Sequence, residues 1–145
     1  MRRRHPALAP DRGSVLMLLP ACVLVVIVLA SIAVDMATVH LRQREALDLA
    51  ASAANDAVTA GADPARLRSG GFDLDAGAVQ ATVDRAIAAS DLAPHLVGRP
   101  TVRIAGDTVE VSLAVEAEYL FTGALPGTPD ATTVHATASA TAVQP

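Results

Sequence analysis

A chain of 145 residues with a mean hydropathy of +0.40, only 2% aromatic residues and no Trp leaves room for one small domain and a membrane segment, with a thin, alanine-rich core. The formal net charge of −4 is uneven: Arg2, Arg3, Arg4 and Arg12 face only Asp11 before the apolar run, while the remainder is strongly acidic, which argues against a nucleic-acid partner. Cys22 is the single cysteine, which excludes an intrachain disulfide or a cysteine-based metal site.

Residues 1–13 form a basic leader. Arginines beside an apolar run favour the cytoplasmic side, so the N-terminus is expected inside and the chain beyond Asp35 outside. "VLMLLPACVLVVIVLASIAV" (Val15–Val34) is uncharged. At 1.5 Å per residue its roughly 20 residues span about 30 Å, the thickness of a bilayer's hydrocarbon core. Pro20 lies near its start, where a membrane helix tolerates a modest kink. We therefore expect a transmembrane helix over 14–35, with the four arginines and Asp35 marking its topology and boundary.

Three processing routes compete with an intact anchor. Ser31-Ile32-Ala33 resembles a signal-peptidase site, although the apolar run is long for a signal-peptide core. "LPAC" (Leu19–Cys22) loosely matches a lipoprotein box, but cleavage there leaves a further apolar stretch, and Cys22 is better read as an apolar filler. Removal of the leader after Gly13, as in pilin-like precursors, is the third.

No Pro or Gly occurs between Pro20 and Gly61, so the helix is expected to continue outward over 36–61. Val39, Gln43, Ala46, Ala50, Ala53, Ala57 and Ala60 recur at alternating three and four residues as a small-residue seam. Glu45, Asp48, Ser52, Asn55 and Thr59 form a polar stripe opposite. The seam suits either the chain's own domain or a neighbouring helix. Asp35 reads as a solvated end-of-span residue, a tether to an arginine or helix end of a neighbour being the alternative. Gly61 with Asp63-Pro64 is a stop.

The remainder, 62–145, is expected to be a small extracytoplasmic α+β domain. Ala65–Gly77 is a connector. Asp75 is placed to cap a second helix over Ala76–Leu92, with Val79, Val83, Ala86 and Ile87 inward and Gln80, Asp84 and Asp91 wet. The period then becomes two. Val102 and Ile104 precede a turn at Ala105-Gly106-Asp107, and Val109, Val111, Leu113, Val115, Ala117 and Tyr119 share one face. Thr122–Ala131 reads as a loop. Thr132–Val143 alternates again, with Val134, Ala136, Ala138, Ala140 and Ala142 on one side. The expected fold class is α+β: a long N-terminal transmembrane helix continuing into an exposed helix, one further helix and a three-stranded antiparallel sheet.

Catalytic chemistry finds little support. His5, His40, His95 and His135 fall in separate segments without metal-ligand spacing, and no nucleophile elbow or phosphate-binding glycine loop is present. Glu110, Glu116 and Glu118 alternate on a strand, where a solvated face is the simpler reading than paired acid–base groups. No cofactor, metal site or small-molecule substrate is expected, and an anchored structural protein is favoured over an enzyme.

Asp11–Ala62 resembles the TadE/TadG-like proteins of tight-adherence (Flp) pilus assembly. The resemblance rests on Arg12-Gly13 entering a membrane helix, on the Val34-Asp35 pair at its end, and on Arg42, Leu47, Ala50, Ala51, Ala53 and Ala54 beyond. Ser52 stands where the family has Asp, and Leu18 stands where its pseudopilin type carries Glu after the cleaved glycine, so the likeness is nearer the uncleaved TadG-like type. It implies a single-pass cell-surface protein acting by helix packing and head contacts in pilus assembly or a related secretion apparatus. Its partners would be the membrane and other assembly subunits, with self-association as a further option. The alternative is a secreted cell-wall or ligand-binding domain released by cleavage after Ala33; a membrane subunit sensing an external ligand is a weaker rival.

Overall fold

The computed structural model describes residues 14–62, 74–124 and 127–142. The basic leader, including Arg2, Arg3, Arg4, Arg12 and Gly13, and most of the connector lie outside the described residues. Helix α1 runs without interruption from Ser14 to Gly61. Pro20 lies inside it without ending it. Its hydroxyls do not compete with the helix, because they bond back one turn: Ser31 donates to the Ile27 carbonyl at 2.9 Å, Thr38 to Val34 at 3.1 Å and Thr59 to Asn55 at 3.0 Å.

The helix stops where Gly61 lets a second element approach. The Asp75 N–H donates to the Gly61 carbonyl at 3.0 Å, and Ala62 bridges Leu74. Helix α2, Ala76–Ala88, starts at the expected cap: Asp75 accepts from the N–H groups of Gly77 at 2.8 Å and Ala78 at 3.2 Å. Val79, Val83 and Ile87 are buried, one helical face of a 3.6-residue period. The helix is shorter than the spacing suggested. Ser90 and Asp91 lie in a turn, followed by a 3-10 turn at Ala93–His95.

Strands β1 (Thr101–Ala105), β2 (Thr108–Glu118) and β3 (Ala131–Thr141) form an antiparallel sheet in sequence order. The β1–β2 hairpin closes over Gly106-Asp107, and Gly106 has φ 64, the positive value that the first residue of such a two-residue turn needs. Alternation sorts β2 cleanly: Val109, Val111, Leu113, Val115 and Ala117 are buried, with Val134, Ala136 and Ala140 of β3 beside them. The opposite face is wet and laced by cross-strand hydroxyl pairs, Thr108 with Thr141 and Ser112 with Thr137, both at 3.0 Å. The fold is α+β. Helices α1 and α2 cover one face of the sheet, and the largest fully buried side chains between them are only valines.

Candidate functional site

The described part of α1 has two environments. From Leu18 to Ile32, ten large apolar side chains are 49–66% exposed, and those of Val23–Leu29 are so on seven consecutive residues. Seven residues cover about two turns, so no side of this segment is shielded by the protein. A core helix would show a buried stripe; this is one helix, near the N-terminus, long and apolar enough to cross a membrane.

Beyond it a stripe of buried positions begins, and its first residue is charged. Asp35 is 3% exposed, although Val34 and Met36 on either side are open. Thr38, Val39 and Arg42 are half-buried on the same face, followed by buried Ala46, Ala50, Ala53, Ala54, Ala57, Val58 and Gly61. The alanine seam is thus covered by the chain's own α2 and sheet. Of the positions assigned to it by spacing, Ala46, Ala50, Ala53 and Ala57 are buried, Val39 is partly so, and Gln43 and Ala60 are exposed.

Asp35 is not the solvated end-of-span residue that the sequence suggested. Its Oδ1 accepts hydrogen bonds from the backbone N–H groups of Leu120 at 2.8 Å and Phe121 at 3.0 Å. Its Oδ2 accepts from the Thr122 N–H at 2.7 Å and from the Thr122 hydroxyl. The cause lies in the chain leaving β2. Tyr119 donates its N–H to the Asp130 carbonyl at 2.8 Å, closing the base of a loop, and a 3-10 turn begins at Thr122. The first N–H groups of a helical turn have no partner within it. The carboxylate of α1 supplies that partner across 85 residues of sequence.

An ionised carboxylate offers about four acceptor positions, and here four donors occupy them in charge-assisted bonds. With no acceptor position left over, Asp35 is suited to holding the head against the helix and not to moving protons. The loop is further held by the Thr128 hydroxyl, which donates to the Thr122 carbonyl. The only sequence signal of this arrangement was an acid set directly after an unbroken apolar run. Three of its four donors are backbone N–H groups, which no side-chain pattern announces.

The remaining candidates stay apart. Among the described residues no three His, Cys, Asp or Glu side chains converge as a metal site. His40 and His135 are exposed and His95 is half-buried, while His5 lies outside the described residues. Glu116 and Glu118 are exposed and, with Thr38, Arg42, His95 and Leu120, line a shallow cleft of about 90 Å³. Cys22 is a free, exposed thiol within the apolar run. No protein-family model, curated protein or solved structure matches this chain.

Proposed function

We propose that the chain is a single-pass membrane protein, with its N-terminus cytoplasmic and its head outside the cell. Its role would be that of a non-enzymatic structural or assembly component of a Flp (Tad-type) pilus or a related secretion apparatus. The observation that carries this reading is the Asp35 clasp, which ties a folded head to the helix at the point where its uncovered apolar stretch ends. Orientation set in the membrane would thereby pass rigidly to the head. Asp35 and the alanine segment above it are among the residues on which the family resemblance rests.

The packing of the seam refines the mechanism. Because α2 and the sheet occupy Ala46–Val58, contacts with other subunits fall to the uncovered helix below and to the wet, threonine-rich face of the sheet. The test is the intact mass and N-terminal sequence of the protein from the membrane fraction, followed by deletion of the gene with surface pili counted. A start at or next to Met1, resistance to carbonate extraction and loss of pili are expected. A start at Val34 in the soluble fraction, or unchanged pili, would overturn the reading; a start at Ser14 would replace it with a processed, pilin-like subunit.

A further inference from the structure

We infer that the loop after β2 dips into the bilayer surface, so that the head is seated on the membrane through Leu120 and Phe121 as well as through α1. The inference rests on the membrane-anchored reading of α1. Leu120 is 63% exposed and Phe121 49%, although both follow a strand whose inward side chains are buried. Their N–H groups are bonded to Asp35, which fixes both residues at the height of the first position beyond the uncharged run. At 1.5 Å per residue, Ile32 is only about 4.5 Å lower along the helix.

The exposed apolar surface of α1, including Ile32, Val34 and Met36, therefore reaches the same height as the two loop side chains. A lone exposed leucine needs no explanation. An adjacent leucine and phenylalanine held by backbone bonds at the end of an uncovered membrane-length helix share its solvent. The chemistry commits the partner to the acyl–headgroup boundary of the bilayer and not to acidic headgroups. Glu116 and Glu118, the last outward-facing acids of β2, are exposed just before the loop and would repel an anionic surface.

The test uses the full chain reconstituted in phosphatidylcholine vesicles. A Phe121→Cys substitution in a Cys22→Ser background is labelled with an environment-sensitive fluorophore and exposed to lipids carrying nitroxides at shallow or deep acyl positions. The substitution keeps the Phe121 N–H and hence its bond to Asp35, and Leu120→Cys serves as an independent reporter. Labels at 121 and 120 should show blue-shifted emission, quenched more by the shallow nitroxide than by the deep one and no more strongly with anionic lipid than without it. A label on exposed Thr59→Cys should remain unquenched, and one on native Cys22 should be quenched by lipid nitroxides.

Aqueous emission at 121 and 120 with Cys22 quenched would overturn this inference and leave the anchor standing. A blue shift without lipid quenching would point to a protein contact, and quenching that appears only with anionic lipid would point to an electrostatic one; either overturns it as well. An unquenched Cys22 would remove the anchored reading itself.

Discussion

The two halves of α1 share one unbroken backbone and differ in everything that decides burial. From Leu18 to Val34 large apolar side chains stand on all sides of the helix, and among these described residues the protein buries none of them; above Asp35 the side chains are small on one face and mostly polar on the other, and the small face is sealed. Apolar character alone therefore does not predict burial within a chain. Leucine and valine on every side leave a folding head nothing to select, whereas a one-sided alanine stripe lets a sheet and a helix approach closely. The upper half depends on the head for its environment; the lower half is uncovered and belongs to a helix long and apolar enough to cross a membrane.

Asp35 stands where one regime gives way to the other, so its removal should have the largest effect. Asp35→Ala leaves three N–H groups of Leu120–Thr122 without their acceptor, and Asp35→Asn keeps the shape but presents an amide with donors of its own. Both should lower the urea midpoint of the detergent-solubilised chain more than any substitution below, and should open the loop after β2 to limited proteolysis. An unchanged midpoint with an unchanged cleavage pattern would show that the clasp does not hold the head.

A size change tests the contrast directly. Ala50 is fully buried between α1 and the head, so Ala50→Leu forces extra methylenes into a packed layer, at a cost of about 1–3 kcal/mol. Leu24→Ala removes comparable volume from the uncovered half and should change the stability of the head by less than about 0.5 kcal/mol. Equal effects in urea titrations of the two variants would erase the distinction between the halves. Gly61 marks the upper end of the sealed face. A Cβ there would lie 2.5 Å from Val79 Cγ2 and 3.3 Å from Leu74 Cδ2. Valine has no flexible end with which to yield, so Gly61→Ala should cost about 1–2 kcal/mol by the same measurement.

Much of this was legible in the sequence, and the errors have physical causes. The β2 alternation from Val109 to Ala117, the Gly106 turn and the Asp75 cap are local, short-range patterns, and each is found where residue chemistry put it. The seam that the spacing predicts repeats in alternating threes and fours, a mean of about 3.5. A straight helix repeats nearer 3.6 and drifts about 20° per heptad relative to that pattern. Accordingly Arg42 lies on the face instead of Gln43, Ala54 and Val58 join Ala53 and Ala57, and Gly61 replaces Ala60. Carried back on the corrected period, the face starts at Asp35. The 3-10 turn at Thr122–Ala124 lies within the segment that reads only as loop, and the N–H groups of Leu120, Phe121 and Thr122 that lead into it, the partners of Asp35, leave no trace in side-chain composition.

The smallest effects should come from polar contacts that face water on either side of the sealed layer. Asp75→Ala removes two capping bonds from α2 and should cost about 1 kcal/mol. The Arg42–Glu45 pair, at 3.1 Å and with both side chains a third or more exposed, lies one turn of helix before the alanine seam. Surface pairs of this kind contribute about 0.2–1 kcal/mol and weaken with salt. Glu45→Gln should therefore lower stability by at most about 0.5 kcal/mol at low ionic strength, and the difference should vanish in high salt. Arg42→Ala should cost more than Glu45→Gln, and the excess should survive salt, because the arginine stem is half-buried on the head-facing stripe and its packing does not depend on charge. If high salt abolished the cost of both variants alike, Arg42 would belong to the solvated face, and the sealed stripe would begin at Ala46 with Asp35 an isolated clasp below it.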